Sequence, residues 1–241
     1  MGISVIALGW LACGAPETVE LSGLVYASHD PLSGPLPDAR LAVVDEYGEA
    51  LAEATTGADG AFTLIVPEGR SVFVEIAADG FTTSTFPGVV GLEDVQQVED
   101  HALYGVSDAE HAGWIDRLGG CTGADDPEGA LVIGEVRVYG ITDPLTGGNP
   151  SVGTAQVEVA DGDTVWSGCY LDADGIAWDP DADYTGATGL FAVPGVGRGL
   201  LDLRVSADIA VGATTTEVYP LWIPADGVVV APWYPAYVEL F

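Results

Sequence analysis

The stretch Thr56-Gly57-Ala58-Asp59-Gly60-Ala61-Phe62 decides the fold, and the chain contains a second form of it, Thr185-Gly186-Ala187-Thr188-Gly189-Leu190-Phe191. Each form reads as a tight turn that leads into a β-strand, because glycine supplies the positive φ that such turns need. The phenylalanine after the turn is expected to anchor the outgoing strand in an apolar core. A motif used twice in this way predicts two copies of one β-domain.

Two further landmarks precede the turn motif in the same order in both halves. Asp30-Pro31-Leu32-Ser33-Gly34 matches Asp143-Pro144-Leu145-Thr146-Gly147, and these segments follow the strand ends at 23–26 and 134–139. The Asp-Pro-Leu landmarks are 113 residues apart and the turn motifs 129, so the second half holds 16 additional residues. Residues 169–183 account for nearly all of them, and insertions usually lie in loops.

The charge of the chain restricts its partners. Its 241 residues are 48% hydrophobic, which indicates a globular chain, and they include 37 acidic residues, six arginines and no lysine, for a net charge of −31. Such a charge repels phosphate backbones, which excludes nucleic acid and disfavours anionic membrane surfaces. It would attract cations; the alternative is that the acidity only keeps the surface soluble.

The N-terminal segment has the character of an export signal. Residues 1–13 form an apolar run that is too short to span a bilayer and that ends in small residues. Cys13 followed by Gly14 resembles a bacterial lipobox, in which Cys13 would be lipidated and become the mature N-terminus. The alternative is a buried first strand with a chance cysteine.

Short strands separated by turns are predicted along most of the chain. Val19, Leu21, Gly23 and Val25 alternate at period two, as in a half-buried strand. Strands divided by turns every 8–12 residues favour a β-sandwich. The predicted strands are 19–26, 41–45, 51–55, 61–66, 71–77, 82–86 and 97–104, then 131–139, 154–159, 164–170, 190–193, 200–207, 214–219, 228–230 and 237–240.

One helix is predicted, at residues 107–118. Ser107 can cap its first turn, with Glu110 three residues later completing a capping box. Trp114, Ile115 and Leu118 share one face at helical spacing, and Gly119-Gly120 ends the helix. We expect a short connector packed against one of the sandwiches.

The first half resembles the carboxypeptidase regulatory-like domain, a transthyretin-like β-sandwich common in secreted bacterial proteins. The resemblance covers most of residues 19–86, and the second half follows the same order with Thr188 in place of the turn aspartate. It implies an accessory, adhesive or binding module at the cell surface and carries no catalytic residues. The matching turn and core residues are Gly23, Val25, Pro31, Leu32, Gly34, Ala39, Leu41, Val43, Thr56, Asp59, Gly60, Phe62, Leu64, Val66, Pro67, Gly69, Ala78, Gly80 and Phe81.

The predicted fold class is all-β, with two tandem transthyretin-like or Ig-like β-sandwiches joined by a short helical linker. The expected division has four parts: an export signal, lipid anchor and tether (1–18), a first sandwich (19–105), the helical linker (106–129) and a second, divergent sandwich (130–241).

The remaining two cysteines, Cys121 and Cys169, form an even pair once Cys13 is set aside. In an exported chain such a pair favours a disulfide, here between the linker and the insertion. Two buried free thiols are the alternative. Zinc is disfavoured, because no histidine or further cysteine lies at the required spacing.

The insertion is the stretch with the clearest functional signal. Asp179, Asp181 and Asp183 alternate so that a curled loop could point three carboxylates at one Ca²⁺ ion, with Asp172 and Asp174 nearby. The sequence therefore suggests a calcium site, with a solvated acidic loop as the alternative. No other cofactor is indicated.

Aromatic residues are concentrated in the second half. Trp178, Trp233 and Tyr234 could stack on sugar faces, although such rings more often belong to a sandwich core. The histidines His29, His101 and His111 are scattered, with His111 expected to be exposed, and no catalytic motif includes them. We therefore expect no enzyme.

The function that fits best is a non-enzymatic binding or structural module, exported to the periplasm or cell surface as an outer-membrane lipoprotein. Its partner would be a protein or glycan, and it would contact the membrane only through the lipid anchor. The alternatives are a carbohydrate-binding module, a calcium-dependent adhesion or assembly protein, and an accessory subunit of a surface machine that is folded for protein contact alone.

Overall fold

The computed structural model describes residues 18–45, 47–67, 71–89, 103–126, 129–138, 151–172, 174–210, 213–224, 227–230 and 235–236. Almost all regular structure in these ranges is β, as predicted, with one α-helix, α1 (Asp108–Arg117), and a 3₁₀ turn at Pro31–Ser33. The strands of the first half are β1 (Thr18–Tyr26), β2 (Arg40–Asp45), β3 (Ala50–Thr55), β4 (Ala61–Pro67), β5 (Ser71–Ala78), β6 (Phe81–Val89), β7 (Leu103–Tyr104) and β8 (Val106–Ser107).

The second half continues the strand series after α1. Its strands are β9 (Ala130–Glu135), β10 (Arg137–Val138), β11 (Ala155–Asp161), β12 (Thr164–Ser167), β13 (Cys169–Leu171), β14 (Trp178–Asp179), β15 (Leu190–Val196), β16 (Gly199–Ala210), β17 (Ala213–Ile223), β18 (Gly227–Val230) and β19 (Pro235–Ala236).

Each half packs two sheets face to face, and the strand order is the same in both. In the first half β4-β1-β7 faces β3-β2-β5-β6, and in the second β15-β9-β18 faces β12-β11-β16-β17. The first strand of each half pairs antiparallel with the strand after the turn motif and parallel with a strand near the end of that half. Alternating apolar residues fill each core, Leu64 against Val74 in one half and Val193 against Leu203 in the other.

The turn motif makes the same buried hydrogen bonds in both halves. The Thr56 hydroxyl donates to the Leu36 carbonyl (2.7 Å) and accepts from the Ala39 N–H (2.9 Å). The Thr185 hydroxyl donates to the Val152 carbonyl (2.5 Å) and accepts from the Ala155 N–H (3.0 Å). Both threonines are at most 3% exposed, so each hydroxyl supplies partners to two buried backbone groups.

Glycine is required at the fourth residue after each threonine. Gly60 and Gly189 have φ values of 75° and 69°. A Cβ at Gly60 would lie 2.6 Å from the Val25 carbonyl oxygen, and one at Gly189 would meet the Val136 oxygen. Each glycine carbonyl accepts a hydrogen bond (2.9 Å) from that same valine N–H. The sequence repeat therefore corresponds to a structural repeat.

A single strand, β18, joins the two halves into one sheet. It pairs in parallel with β9 of its own half and, on its other side, with β6 of the first half. The resulting ten-stranded sheet runs β14-β13-β15-β9-β18-β6-β5-β2-β3, with β8 also paired to β6. All four residues of β18 are buried, as expected for a parallel strand that is covered on both faces.

Helix α1 covers the outer face of this sheet near the junction. Its Trp114 and Ile115 pack with buried Leu118, Leu131 and Val228, so the predicted helical face is confirmed. The Glu110 N–H donates to the Ser107 hydroxyl (3.2 Å), which confirms the predicted N-cap. The helix contacts strands from both halves, including Phe86 of β6, whereas packing against one sandwich was expected. Within the described residues no helix is long and apolar enough to span a bilayer.

Many predicted strands lie within a residue or two of the observed ones, but the predictions of one strand at 131–139 and of one at 164–170 are wrong. The first is interrupted at Val136, which bonds to Gly189 and Val152, and its two parts, β9 and β10, belong to different sheets. The chain breaks at Gly168 and passes from the four-stranded sheet (β12) to the ten-stranded sheet (β13). Gly168 donates to the Val157 carbonyl, and a Cβ there would lie 2.7 Å from the Tyr170 hydroxyl. A side chain at this position would clash.

Other predicted elements lie partly or wholly outside the described residues. Of the strand predicted at 97–104 the structure describes Leu103–Tyr104, and the strand predicted at 237–240 lies outside the described residues, as do the N-terminal anchor and tether. Thr56 follows Ala39 by 17 residues whereas Thr185 follows Ala155 by 30, so 13 of the 16 additional residues lie between these points, in the interval that contains the predicted insertion at 169–183. The division into separate domains stays a prediction.

Replacing either motif threonine by valine is expected to destabilise the protein by about 1–3 kcal/mol, because valine keeps the shape but leaves a buried N–H and a buried C=O without a partner. Urea unfolding of Thr56→Val and Thr185→Val measures the loss. Thr63→Val, at an exposed position of β4, serves as the control and should change little. Equal stabilities for all three variants would contradict the proposed role of the hydroxyls.

Candidate functional site

The insertion in the second half adds two strands to one end of the ten-stranded sheet. Strand β13 pairs with β15, and β14 pairs with β13 through Tyr170↔Asp179 and Leu171↔Trp178. The predicted acidic loop is thus partly a β-hairpin: Asp172 and Asp174 lie in its turn, Asp179 is the last residue of β14, and Asp181 and Asp183 follow that strand. This arrangement places the hairpin beside Cys169 and the end of α1.

Two aspartates of the insertion, Asp172 and Asp179, accept hydrogen bonds from the backbone of their own turns. Asp172 Oδ1 accepts the Ile176 N–H (2.9 Å), and Asp179 Oδ1 accepts the Asp181 N–H (2.9 Å). The hydrogen bond from Ile176, followed by weaker ones, lowers the pKa of Asp172. No three acidic, histidine or cysteine side chains among the described residues lie close enough together to hold a metal ion. Calcium binding by Asp172, Asp174, Asp179, Asp181 and Asp183 stays a prediction.

A small cleft of about 270 Å³ lies between the insertion and strand β11. Tyr170 forms part of its wall, accepting the Val157 N–H at 2.7 Å and so linking the two sheets. Burial raises the pKa of the Tyr170 hydroxyl, the bond to Val157 opposes this, and the nearby charges of Glu158 and Asp183 raise it further. Because Glu158 and Asp183 line the cleft, its rim is acidic.

The predicted disulfide is present between Cys121 and Cys169. It connects the segment after α1 to the first residue of β13, with a Cα–Cα distance of 6.0 Å and a sequence separation of 48 residues. Both cysteines are at most 7% exposed and belong to the apolar cluster under α1. Cys13 lies outside the described residues.

Two tryptophans of the second half, Trp178 and Trp166, pack against apolar clusters. Trp178 is half-buried in the cluster under α1, and Trp166 packs on the core of the second half, over Gly197. Trp233 and Tyr234 lie outside the described residues. Glycan binding through Trp178, Trp233 and Tyr234 stays a prediction.

A third tryptophan forms a contact between the halves that the sequence did not reveal. Trp222 of β17 donates its indole N–H to Glu75 of β5 (2.7 Å), 147 residues away. Its ring lies over Gly48, where a Cβ would meet ring atoms at 2.5 Å. Together with β18, this contact fixes the second half against the first half.

The histidines do not form a catalytic group in the described residues. His29 is exposed, lies 3.8 Å from Glu110 and meets the edge of the Tyr104 ring. His111 was expected to be exposed, which is wrong: it is half-buried, and its Nε2 is buried without a hydrogen-bond partner. The reason is helical spacing, since His111 shares the face of Trp114, Ile115 and Leu118. Burial lowers its pKa, and Asp108 opposes the shift; His101 lies outside the described residues.

Tyr104 lies under the helix and packs edge-on against Phe86, with ring centroids 5.1 Å apart. Burial raises the pKa of its hydroxyl from 10.0 to about 12, and the negative charge of Glu110 acts in the same direction. The folded state therefore holds this proton more tightly than the unfolded state does.

Removal of the disulfide is expected to lower the free energy of unfolding by about 4 kcal/mol, the chain-entropy value for a loop of this size. Urea unfolding of the double variant Cys121→Ser, Cys169→Ser measures it. Cys13→Ser is the matched control and should leave stability unchanged. Equal stability of the double variant and the native chain would refute a stabilising role for the bond.

Stability is expected to fall as pH rises from about 10 to 12, because over this range unfolded Tyr104 ionises while the folded residue stays neutral. Tyr104→Phe should flatten this fall, as followed by thermal unfolding at several alkaline pH values. Tyr184→Phe, at a side chain that is 55% exposed, should keep the wild-type slope. A Tyr104→Phe slope identical to that of the wild type would count against this assignment.

The chain shows only distant similarity to known proteins. No protein-family model and no curated protein matches it. Among solved structures, the TIE protein of Bacillus anthracis is 14% identical with a TM-score of 0.26, covering 92% of this chain, which spans 34% of that protein. The shaft pilin SpaA from Lactobacillus rhamnosus GG is 11% identical (TM-score 0.26, 90% and 97% covered). The group B streptococcus pilus 2b backbone protein is 13% identical (TM-score 0.28, 91% and 92%). Similarity at this level carries no argument about function.

Proposed function

We propose that this protein is an exported, non-enzymatic structural module of the cell exterior, built from two carboxypeptidase regulatory-like sandwiches. The observation that carries the proposal is the joining of the two halves through β18, together with a disulfide that ties the segment after α1 to β13. Disulfides persist in oxidising compartments, which favours the periplasm or the cell surface. A lipid on Cys13 would attach the module to a membrane.

Two contacts between the halves support a role as a rigid spacer. Strand β18 is buried on both faces, and Trp222 is hydrogen-bonded to Glu75 across the junction. Independent domains would share few contacts and move against one another. A shared sheet removes that freedom, so the module would hold whatever is attached to its ends at a fixed distance.

A protein is the partner that best fits this role. The ten-stranded sheet ends in β3 on one side and β14 on the other. Terminal strands can accept a further strand from a partner protein. The net charge of −31 would keep copies apart in solution and would favour a partner with a basic surface.

Export and anchoring can be tested with the full-length chain in a Gram-negative host, labelled with radioactive palmitate. We expect label on the native chain and none on Cys13→Ser. We also expect the thiols of residues 121 and 169 to resist alkylation until a reductant is added. A version that lacks residues 1–13 controls for the compartment and should contain alkylatable thiols. An unlabelled native chain with reactive thiols in the cytoplasm would contradict the proposal.

A further inference from the structure

We propose that this protein bears tension between its two ends, and that the disulfide distributes the load across the ten-stranded sheet. The inference rests on the proposed structural role for its biological meaning. Its physical basis is the parallel pairing, in each half, of the first strand with a strand near the end of that half. Strand β1 pairs in parallel with β7, and β9 pairs in parallel with β18.

The parallel pairing of β1 with β7 and of β9 with β18 determines whether a pulling force loads the hydrogen bonds between the strands together or one after another. The first residue of β9 and the last residue of β18 lie at opposite ends of the ladder, because the strands run in the same direction. A force that pulls these two ends apart therefore slides the strands past each other and loads their hydrogen bonds together. An antiparallel hairpin that is pulled open across one residue pair instead loses its bonds one after another.

Strand β18 is unusually well placed to resist sliding. It is held by a ladder on each side, with Val229 opposite Val132 of β9 and opposite Thr85 of β6. Val228 and Val229 have no exposed surface, and Val230 is 4% exposed. Pulling β18 out of the sheet would break both ladders and expose both apolar faces in the same step.

The disulfide changes where the force enters the second half. With the bond intact, tension passes from Cys121 directly to Cys169, the first residue of β13, and bypasses the covalent path through residues 122–168. Strand β9 within that segment is loaded only through its hydrogen bonds to β15 and β18. Strand β13 is antiparallel to β15, which is antiparallel to β9, and β9 is parallel to β18. Consequently β13 runs parallel to β18, and the load crosses all four strands in the sliding geometry.

Single-molecule force spectroscopy on the purified full-length chain tests the proposal, with handles at the N- and C-termini. The control attachment uses residues 202 and 220, because Asp202 and Pro220 are exposed and face each other on the β16–β17 hairpin. We expect the rupture force between the termini to be at least twice that between residues 202 and 220. Equal forces would overturn the proposal.

The same experiment also tests the role of the disulfide, through the extended length of the chain and the rupture force. Under oxidising conditions, full extension should be shorter by about 160 Å, the length of the closed 48-residue loop. Reductant added to a tethered native molecule should restore that length and change the rupture force. The variant Cys121→Ser should behave like the reduced native molecule. A rupture force that is the same with and without reductant would refute distribution of load by the bond. Because the assay uses purified protein, an export failure would leave its result intact.

Discussion

The pairing of β18 with strands from both halves is the interaction on which the architecture depends. Three registered pairs on each side join two sheets that would otherwise end at β6 and β9. Because the strand is buried on both faces, it needs a second layer on each, and these layers are the core of the second half and the cluster under α1. Helix α1, the disulfide and the Trp222 contact all lie near this strand. The helix therefore packs on the junction of the two halves and is more than a connection along the chain between two sandwiches.

Individual acidic side chains have a structural role in addition to their contribution to the net charge. Asp45 is fully buried, and its Oδ1 accepts the N–H groups of Tyr47 and Glu49 at 2.8 and 2.9 Å. Glu135 is 7% exposed and accepts the Ser151 hydroxyl. Asp45 thus replaces backbone partners where the chain reverses, and Asp172 and Asp179 of the insertion act in the same way. An acidic pattern at alternate positions fits a turn-capping role as well as it fits a metal site.

Local features were predictable from sequence, whereas long-range pairing was not. The turn motif, the capped helix and the cysteine pair follow from residue chemistry within short segments, and the structure agrees with them. Strand β18 reads as a uniformly apolar run, which indicates burial on both faces but not the identity of its neighbours. The contact from Trp222 to Glu75 spans 147 residues and no periodicity encodes it. Gly168 looks like an ordinary strand residue until the change of sheet around it is known.

The position of β18 far along the chain from β6 has a consequence for folding during synthesis. Ribosomes deliver a protein from its N-terminus, so β6 is made long before the strand that covers Ser84 and Thr85, both fully buried in the finished fold. Until residue 230 emerges, the growing polypeptide presents an open sheet edge to chaperones. A chain truncated shortly before β18 would therefore contain β1 to β17 and still be unable to close its sheet.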